Sequence, residues 1–108
     1  MIGVDIIEIS RIASAADDKF LIKHFTANEI GYFKSRNMSP AVIAGNWAAK
    51  EAFSKAMGTG LRGFSLMDVE ILRNGSGQPF IKFKGEQTDA QVSISHSKEN
   101  AVAVVYIP

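Results

Sequence analysis

The most informative absence in this 108-residue chain is cysteine, which does not occur. Without cysteine there is no disulfide framework, no thiolate metal site and no thiol nucleophile. This composition is compatible with a reducing compartment, and we expect a cytoplasmic protein.

Long apolar runs and a strong charge excess are also missing. No apolar run approaches the roughly 20 residues that a membrane-spanning helix needs. The opening residues, MIGVDIIEIS, lack a basic leader and carry Asp5 and Glu8 within the apolar run, which is unlike a signal peptide. The formal net charge is only +1, so no bulk attraction to nucleic acid is expected. We therefore expect neither a membrane nor a nucleic acid as a partner.

The sequence that is present predicts one α+β domain over residues 1–108, with a mainly antiparallel sheet packed against one long helix. Thr26 and Glu29 have capping-box spacing, and Ser39 followed by Pro40 marks the start of the long helix, which should end at Gly58. Predicted helices lie at 11–24, after Thr26 and at 40–57, and predicted strands at 3–9, 67–73, 80–84, 92–97 and 101–107. Residues 74–79, NGSGQP, form a predicted turn.

Asp5 is an unusual residue for the first predicted strand. Alternation places it on one face with Ile7 and Ile9. A buried carboxylate is costly unless it is paired or binds a metal. The alternative, equally compatible with the pattern, is that Asp5 lies at an exposed strand edge.

The long helix carries Glu51 and Lys55 at i, i+4 spacing. Taken alone, this spacing favours a surface ion pair worth roughly 0.2–0.5 kcal/mol. However, Trp47 lies on the same face one turn earlier, and the neighbouring alanines would let another backbone or a ligand approach closely. The helix face is therefore also a candidate site.

His96 lies in line with Val92 and Ile94 on a predicted strand, a pattern that favours a core histidine. Ser93, Ser95 and Ser97 occupy the other face, as exposed residues or as hydroxyl donors to phosphate. Residues 58–63, GTGLRG, match G-x-G-x-x-G but follow a helix instead of a strand, so we interpret them as a helix end and loop. Residues 11–36 carry a small excess of basic side chains, compatible with a solvated surface or with a docking face for an acidic partner.

Four motifs, in order, resemble one family. The segments GVDIIEISRI, NWAAKEAFSKAMGTGL, GQPF and VSISHSKENAVAVV look like those of bacterial holo-[acyl-carrier-protein] synthases, the small phosphopantetheinyl transferases. The resemblance runs nearly end to end and implies the 4′-phosphopantetheinyl transferase-like fold. It also implies transfer of the 4′-phosphopantetheine arm of coenzyme A to a serine of apo acyl carrier protein, with release of adenosine 3′,5′-bisphosphate. Mg²⁺ dependence and a homotrimer with active sites between subunits are further implications.

The resemblance assigns roles to residues of this chain. Asp5 and Glu51 match the family's metal-binding carboxylates, and the metal would lie on the pyrophosphate of coenzyme A. Lys55 is placed to reach the same phosphates. Glu51 would accept the proton of the carrier serine, either directly or through a metal-bound water. Arg11 would belong to the basic helical surface on which the acidic carrier protein docks. The coenzyme-binding residues implied by the resemblance are Asp5, Glu51, Lys55, Gly58, Gly77, Gln78, Pro79, His96 and Ser97.

Two departures from the family pattern stand out. Asn46 occupies a position that is usually basic, so either Lys50, Arg62 or a neighbouring subunit compensates, or the affinity for coenzyme A falls. Residues 84–91 are shorter than the usual segment, which often holds a short helix. Two other functions are compatible with the sequence: a non-catalytic module that binds coenzyme A or carrier protein, and a coenzyme A pyrophosphate hydrolase.

Overall fold

The computed structural model describes residues 1–58 and 62–108 and confirms the predicted α+β class. The strands form two antiparallel three-stranded sheets, in the orders β1-β6-β5 and β2-β3-β4. The elements are β1 (Ile2–Glu8), α1 (Ile9–Ala15), α2 (Asp18–His24), α3 (Ala27–Ser35), α4 (Pro40–Ala56), a 3₁₀ turn (Leu66–Asp68), β2 (Val69–Arg73), β3 (Pro79–Phe83), β4 (Glu86–Gln87), β5 (Gln91–His96) and β6 (Asn100–Tyr106).

Helix α4 begins where its capping signals predict. The Ser39 hydroxyl accepts a hydrogen bond from the Val42 amide, and Pro40 is the first helical residue. The helix ends at Ala56, and Gly58 follows with a φ of 77°, a left-handed conformation that glycine adopts without strain. The glycine-rich loop predicted at 58–63 lies partly outside the described residues.

The single helix predicted at 11–24 is wrong. The chain forms two helices there, α1 and α2, separated at Ala16 and Asp17. The Asp17 side chain accepts a hydrogen bond from the Phe20 amide at 2.8 Å and thus caps a new helix N-terminus. The predicted capping box at Thr26 and Glu29 is confirmed at the start of α3.

The alanine-rich face of α4 packs directly on the backbone of β1. Ala48, Ala49, Ala52 and Ala56 are buried, and a Cβ atom added to Gly3 would lie 2.0 Å from the Ala52 carbonyl oxygen. The small side chains therefore let a strand approach. Of the two partners that the alanines could admit, a backbone or a ligand, it is the backbone of β1 that packs against them.

The opposite face of β1 and β6 is apolar and exposed. Ile2 pairs with Tyr106 and Val4 with Val104 across the two strands. The exposed fractions are 71% for Ile2, 55% for Val4, 65% for Ile6, 40% for Val104 and 48% for Tyr106. This surface, called the outer sheet face below, is unusual for a monomer because large contiguous apolar patches generally mark interaction sites.

Two further features complete the fold. Residues 84–91, all described, hold the short strand β4 paired with β3 and no helix. Within the described part of the chain, none of the helices has both the length and the hydropathy required to cross a bilayer.

Candidate functional site

A cleft of about 250 Å³ lies between β1, α1 and α4. Asp5, Arg11, Trp47 and Glu51 line it together with apolar side chains. We call it the carboxylate cleft. The predicted metal-binding pair and the predicted carrier-binding arginine thus meet in one place, although Asp5 and Glu51 are distant in the sequence.

Asp5 faces α4 and is paired there. Its side chain is only 16% exposed, and its Oδ1 accepts a hydrogen bond from Lys55 Nζ at 3.0 Å. Lys55 Nζ also donates to the Val4 carbonyl oxygen at 3.1 Å. The interpretation of Asp5 as an exposed edge residue is therefore wrong. The simple Glu51–Lys55 helix pair is also wrong, since the lysine forms its salt bridge with Asp5.

Glu51 is half-buried in the carboxylate cleft. Burial raises its pKa, the negative charge of Asp5 raises it further, and Lys55 opposes the shift. The two carboxylates are therefore close enough to repel each other. A cation between them would relieve that repulsion.

The carboxylates of the cleft are the donor set for the Mg²⁺ that the family resemblance implies. Among residues 1–58 and 62–108, no group of three or more His, Cys, Asp or Glu side chains is placed to hold a metal ion. Mg²⁺ commonly keeps several waters and takes only one or two protein carboxylates together with substrate phosphates. Asp5 and Glu51, at the wall of an open cleft, fit that requirement.

A second cleft, of about 410 Å³, lies between the start of α4, the β2–β3 turn and β5. We call it the β5 cleft. Gly77, Gln78, Pro79 and His96 line it, so four of the predicted coenzyme-binding residues meet here. His96 shares a sheet face with Val92 and Ile94 as predicted, but its side chain is exposed. The interpretation as a core histidine is therefore wrong.

Three predicted coenzyme-binding residues, Lys55, Gly58 and Ser97, are not among the described residues that line either cleft. Ser97 shapes the β5–β6 turn, where its hydroxyl accepts hydrogen bonds from the Glu99 and Asn100 amides at 3.3 and 3.1 Å. Gly58 ends α4 and is exposed. Their contact with coenzyme A remains a prediction.

The two clefts have no lining residue in common. Helix α4 contributes Gly45 to the β5 cleft and Trp47 to the carboxylate cleft. Residues that lie two positions apart on an α-helix, as Gly45 and Trp47 do, are separated by about 200° around its axis. The clefts therefore lie on different sides of α4 within one chain.

Comparison with known proteins identifies the family. The sequence profile of the 4′-phosphopantetheinyl transferase superfamily, ACPS, matches residues 1–106. The chain belongs to this superfamily. Holo-[acyl-carrier-protein] synthase from Clostridium beijerinckii is 51% identical to it over 94% of this chain and 91% of the relative. The corresponding Clostridium perfringens (strain 13 / Type A) protein is 49% identical over 97% and 89%.

Solved structures of superfamily members have the same fold. Helicobacter pylori holo-[acyl-carrier-protein] synthase in complex with coenzyme A superposes with a TM-score of 0.88, 34% identity and full coverage of both chains. The Bacillus anthracis enzyme, in complex with CoA (3′,5′-ADP), has a TM-score of 0.83 and 41% identity over 96% of this chain and 91% of that chain.

In this superfamily member, α4 also contributes to a buried polar cluster that the sequence did not reveal. Lys50 is fully buried, forms a salt bridge with Glu29 and donates to the His24 carbonyl oxygen at 2.8 Å. Burial raises the pKa of Glu29 and lowers that of Lys50. Lys50 is therefore excluded as the compensating cation, which leaves Arg62, a neighbouring subunit or a lower affinity for coenzyme A.

Asn46 belongs to the same cluster and is fully buried. Its Nδ2 donates to Glu29 Oε2 at 3.2 Å and to the Ile71 carbonyl oxygen at 3.0 Å, which joins α4 to α3 and β2. The spacing of Ile43, Asn46, Lys50 and Phe53 along one helix stripe is the signal that could have revealed this burial.

Proposed function

We propose that this chain is a holo-[acyl-carrier-protein] synthase, which transfers the 4′-phosphopantetheine group of coenzyme A to a serine of apo acyl carrier protein. The observation that carries the proposal is the meeting of Asp5, Glu51 and Arg11 in one cleft, with Lys55 bound to Asp5. These groups provide a divalent-cation site, a cation for phosphate and a contact for an acidic partner.

Asp5 and Glu51 would hold Mg²⁺, and the ion would neutralise charge on the pyrophosphate of coenzyme A. The Lys55 side chain is 54% exposed, so its ammonium can contact solvent-borne phosphate while it remains close to Asp5. Lys55 would offset the negative charge that develops on the phosphates in the transition state.

Glu51 is our candidate for the proton acceptor. It is half-buried at the wall of the carboxylate cleft, which a docked serine side chain would enter. The carrier serine is the nucleophile: its hydroxyl oxygen bonds to the β-phosphorus, its proton goes to Glu51, and adenosine 3′,5′-bisphosphate leaves. The chain needs no nucleophile of its own, which agrees with the absence of cysteine.

We place the nucleotide end of coenzyme A in the β5 cleft, beside Gly77, Gln78, Pro79 and His96. A complete active site then requires two subunits, because one chain keeps the β5 cleft and the carboxylate cleft on different sides of α4. The apolar outer sheet face supports assembly of the proposed homotrimer, since association would bury it.

The carrier protein is proposed to dock beside the carboxylate cleft. Arg11, Lys19 and Lys23 are exposed on α1 and α2, and Ile22 is 68% exposed between the two lysines. Basic side chains around an apolar contact suit an acidic partner because opposite potentials favour encounter and register. Docking here would bring the carrier serine to Glu51, in the cytoplasm where we expect the protein to act.

The proposal is tested by following modification of apo carrier protein with purified variants. Glu51→Gln and Asp5→Asn should abolish transfer while circular dichroism shows an unchanged fold. Glu86→Gln is the matched control, because Glu86 is an exposed carboxylate on β4 outside both clefts. Full activity of Glu51→Gln would remove this residue from the mechanism.

A further inference from the structure

Arg73 is a charged side chain in the β5 cleft to which no role has been given above. It is the last residue of β2 and lines the cleft with His96 and the 77–79 turn. Its Nη2 donates to Asn46 Oδ1 at 3.0 Å, and its guanidinium carbon lies 4.7 Å from the centroid of the Tyr32 ring. The guanidinium is thus held in one orientation by a buried amide and an aromatic face.

One end of this guanidinium is left without a partner. Arg73 Nη1 is buried and has no hydrogen-bond partner among the described residues. An unpaired buried donor on a charged group is expensive, and such atoms in native proteins generally have a missing partner. Burial lowers the pKa of Arg73, while Tyr32 and Glu29 favour its charged form. An anion in the cleft beside this guanidinium would stabilise its charge.

The rest of the cleft suits an anion. Among the described residues that line it there is no aspartate or glutamate, and the first turn of α4 contributes Ala41 and Val42. The N-terminal end of a 17-residue helix carries a partial positive charge, although Pro40 has no amide hydrogen and Ser39 caps the Val42 amide. Ser93 and His96 add further polar groups. Glu29 is the nearest acidic residue to Asn46, but its charge is already offset by Lys50.

We infer that Arg73 binds a phosphate of the nucleotide held in the β5 cleft, with Asn46 and Tyr32 positioning its guanidinium. The inference rests on the proposed function for the identity of the nucleotide. It also explains the neutral residue at position 46: Asn46 is a positioning residue, and the cation that meets the ligand comes from β2. The ligand group is a phosphate of coenzyme A, either the 3′-phosphomonoester or the pyrophosphate.

The test is calorimetric binding of adenosine 3′,5′-bisphosphate and of adenosine 5′-monophosphate to the purified, assembled protein. Arg73→Gln should weaken bisphosphate binding by roughly ten- to a hundredfold, as expected for a lost charge-assisted hydrogen bond. Arg73→Lys keeps the charge but not the fork of donors, so it should lose less affinity. Lys82→Gln is the control, because it removes one charge from the neighbouring strand β3 outside the cleft.

The pattern of losses identifies the phosphate. If Arg73→Gln weakens the bisphosphate but not the monophosphate, the 3′-phosphate is the ligand group; weaker binding of both nucleotides places Arg73 at the 5′ phosphates. The inference would be overturned if a folded Arg73 variant bound the bisphosphate as tightly as the control variant Lys82→Gln does. Thermal melting checks the fold, and Arg73→Lys preserves the test if the glutamine variant unfolds.

Failure of this inference is distinguishable from failure of the proposed function. Transfer activity with a coenzyme A KM unaffected by Arg73→Gln would refute the inference alone. Arginine-dependent nucleotide binding without any carrier modification would refute the proposed function alone. Absence of nucleotide binding to the unchanged protein would overturn the inference directly.

Discussion

The contact between Gly3 and α4 gives a sharp prediction, because it is a contact of backbone on backbone. A Cβ atom at residue 3 would lie 2.0 Å from the Ala52 carbonyl oxygen and 2.6 Å from the Ala56 amide nitrogen. Carbon–oxygen contacts normally begin at roughly 3.3 Å, so β1 and α4 would have to separate by about 1.3 Å. Neither backbone can move aside as a flexible side chain could.

Gly3→Ala should therefore be strongly destabilising. Overpacking typically costs about 1–3 kcal/mol, and we expect about 3 kcal/mol or more here because backbone must move. For a domain of about 100 residues, 3 kcal/mol corresponds to a fall in melting temperature of roughly 12–24 °C. Transfer activity should also fall, because Asp5 lies two residues along the displaced strand.

The measurement is thermal unfolding followed by circular dichroism, with Gly31→Ala as the matched control. Gly31 lies in α3, and an added Cβ atom there would meet nothing within 4 Å. Alanine in place of a helical glycine should stabilise the protein by roughly 0.5–1 kcal/mol. A Gly3→Ala variant that melts at the same temperature as the unchanged protein would refute the assigned packing of β1 on α4.

Three other predictions follow from the buried cluster, from His24 and from the outer sheet face. Lys50→Met should lower the free energy of unfolding, measured in urea melts, by roughly 3–5 kcal/mol, because it leaves Glu29 buried and unpaired. Adding Glu29→Gln to this variant should restore part of the lost stability, and effects of the two substitutions that simply add would contradict the coupling. Burial and the neighbouring lysines lower the pKa of His24, so the unfolded chain protonates this histidine more readily than the folded chain does. The free energy of unfolding should therefore decline as the pH drops below about 6.5. His24→Gln should make this decline less steep, and an unchanged decline would show that His24 is not its cause. Val4→Glu should dissociate the proposed trimer, as measured by light scattering, because it puts a charge on the outer sheet face. Lys84→Glu changes a charge outside that face and should leave the trimer intact, whereas an intact Val4→Glu trimer would place the interface elsewhere.

Local signals predicted the helix boundaries well where a cap was present. Ser39 and Pro40 start α4, and Thr26 with Glu29 starts α3, because caps act on neighbouring backbone amides and need no tertiary partner. The break at Asp17 was missed, although aspartate is itself a strong N-cap residue. There the mixed pattern of apolar and polar residues favoured one continuous helix.

The long-range features could not be predicted from local pattern. Asp5 and Glu51 were brought together only by the family resemblance, because no local rule joins a strand to a helix so far along the chain. The same limit applies to Lys50, whose charge favoured a surface position until its contacts with Glu29 and His24 were seen. Arg73 was not predicted as a site residue, because it becomes a candidate only through a cleft that three separate segments of the chain form.

The alanine-rich stretch of α4 shows how far a correct local inference reaches. Small side chains do allow close approach, but the group that approaches is the backbone of β1 at Gly3. The sequence alone does not distinguish a strand from a ligand as the occupant. The order of elements decides it, since β1 pairs with β6 and both pack on α4.

The most direct test of the central claim is intact-mass spectrometry of apo acyl carrier protein after incubation with this protein, coenzyme A and Mg²⁺. We predict that the carrier gains the mass of one phosphopantetheine group, that adenosine 3′,5′-bisphosphate appears in equal amount, and that Glu51→Gln yields neither product. A carrier of unchanged mass, across several carrier proteins, would contradict the account. Free phosphopantetheine formed without carrier would then indicate a hydrolase, and tight coenzyme A binding without any product would indicate a non-catalytic binding module.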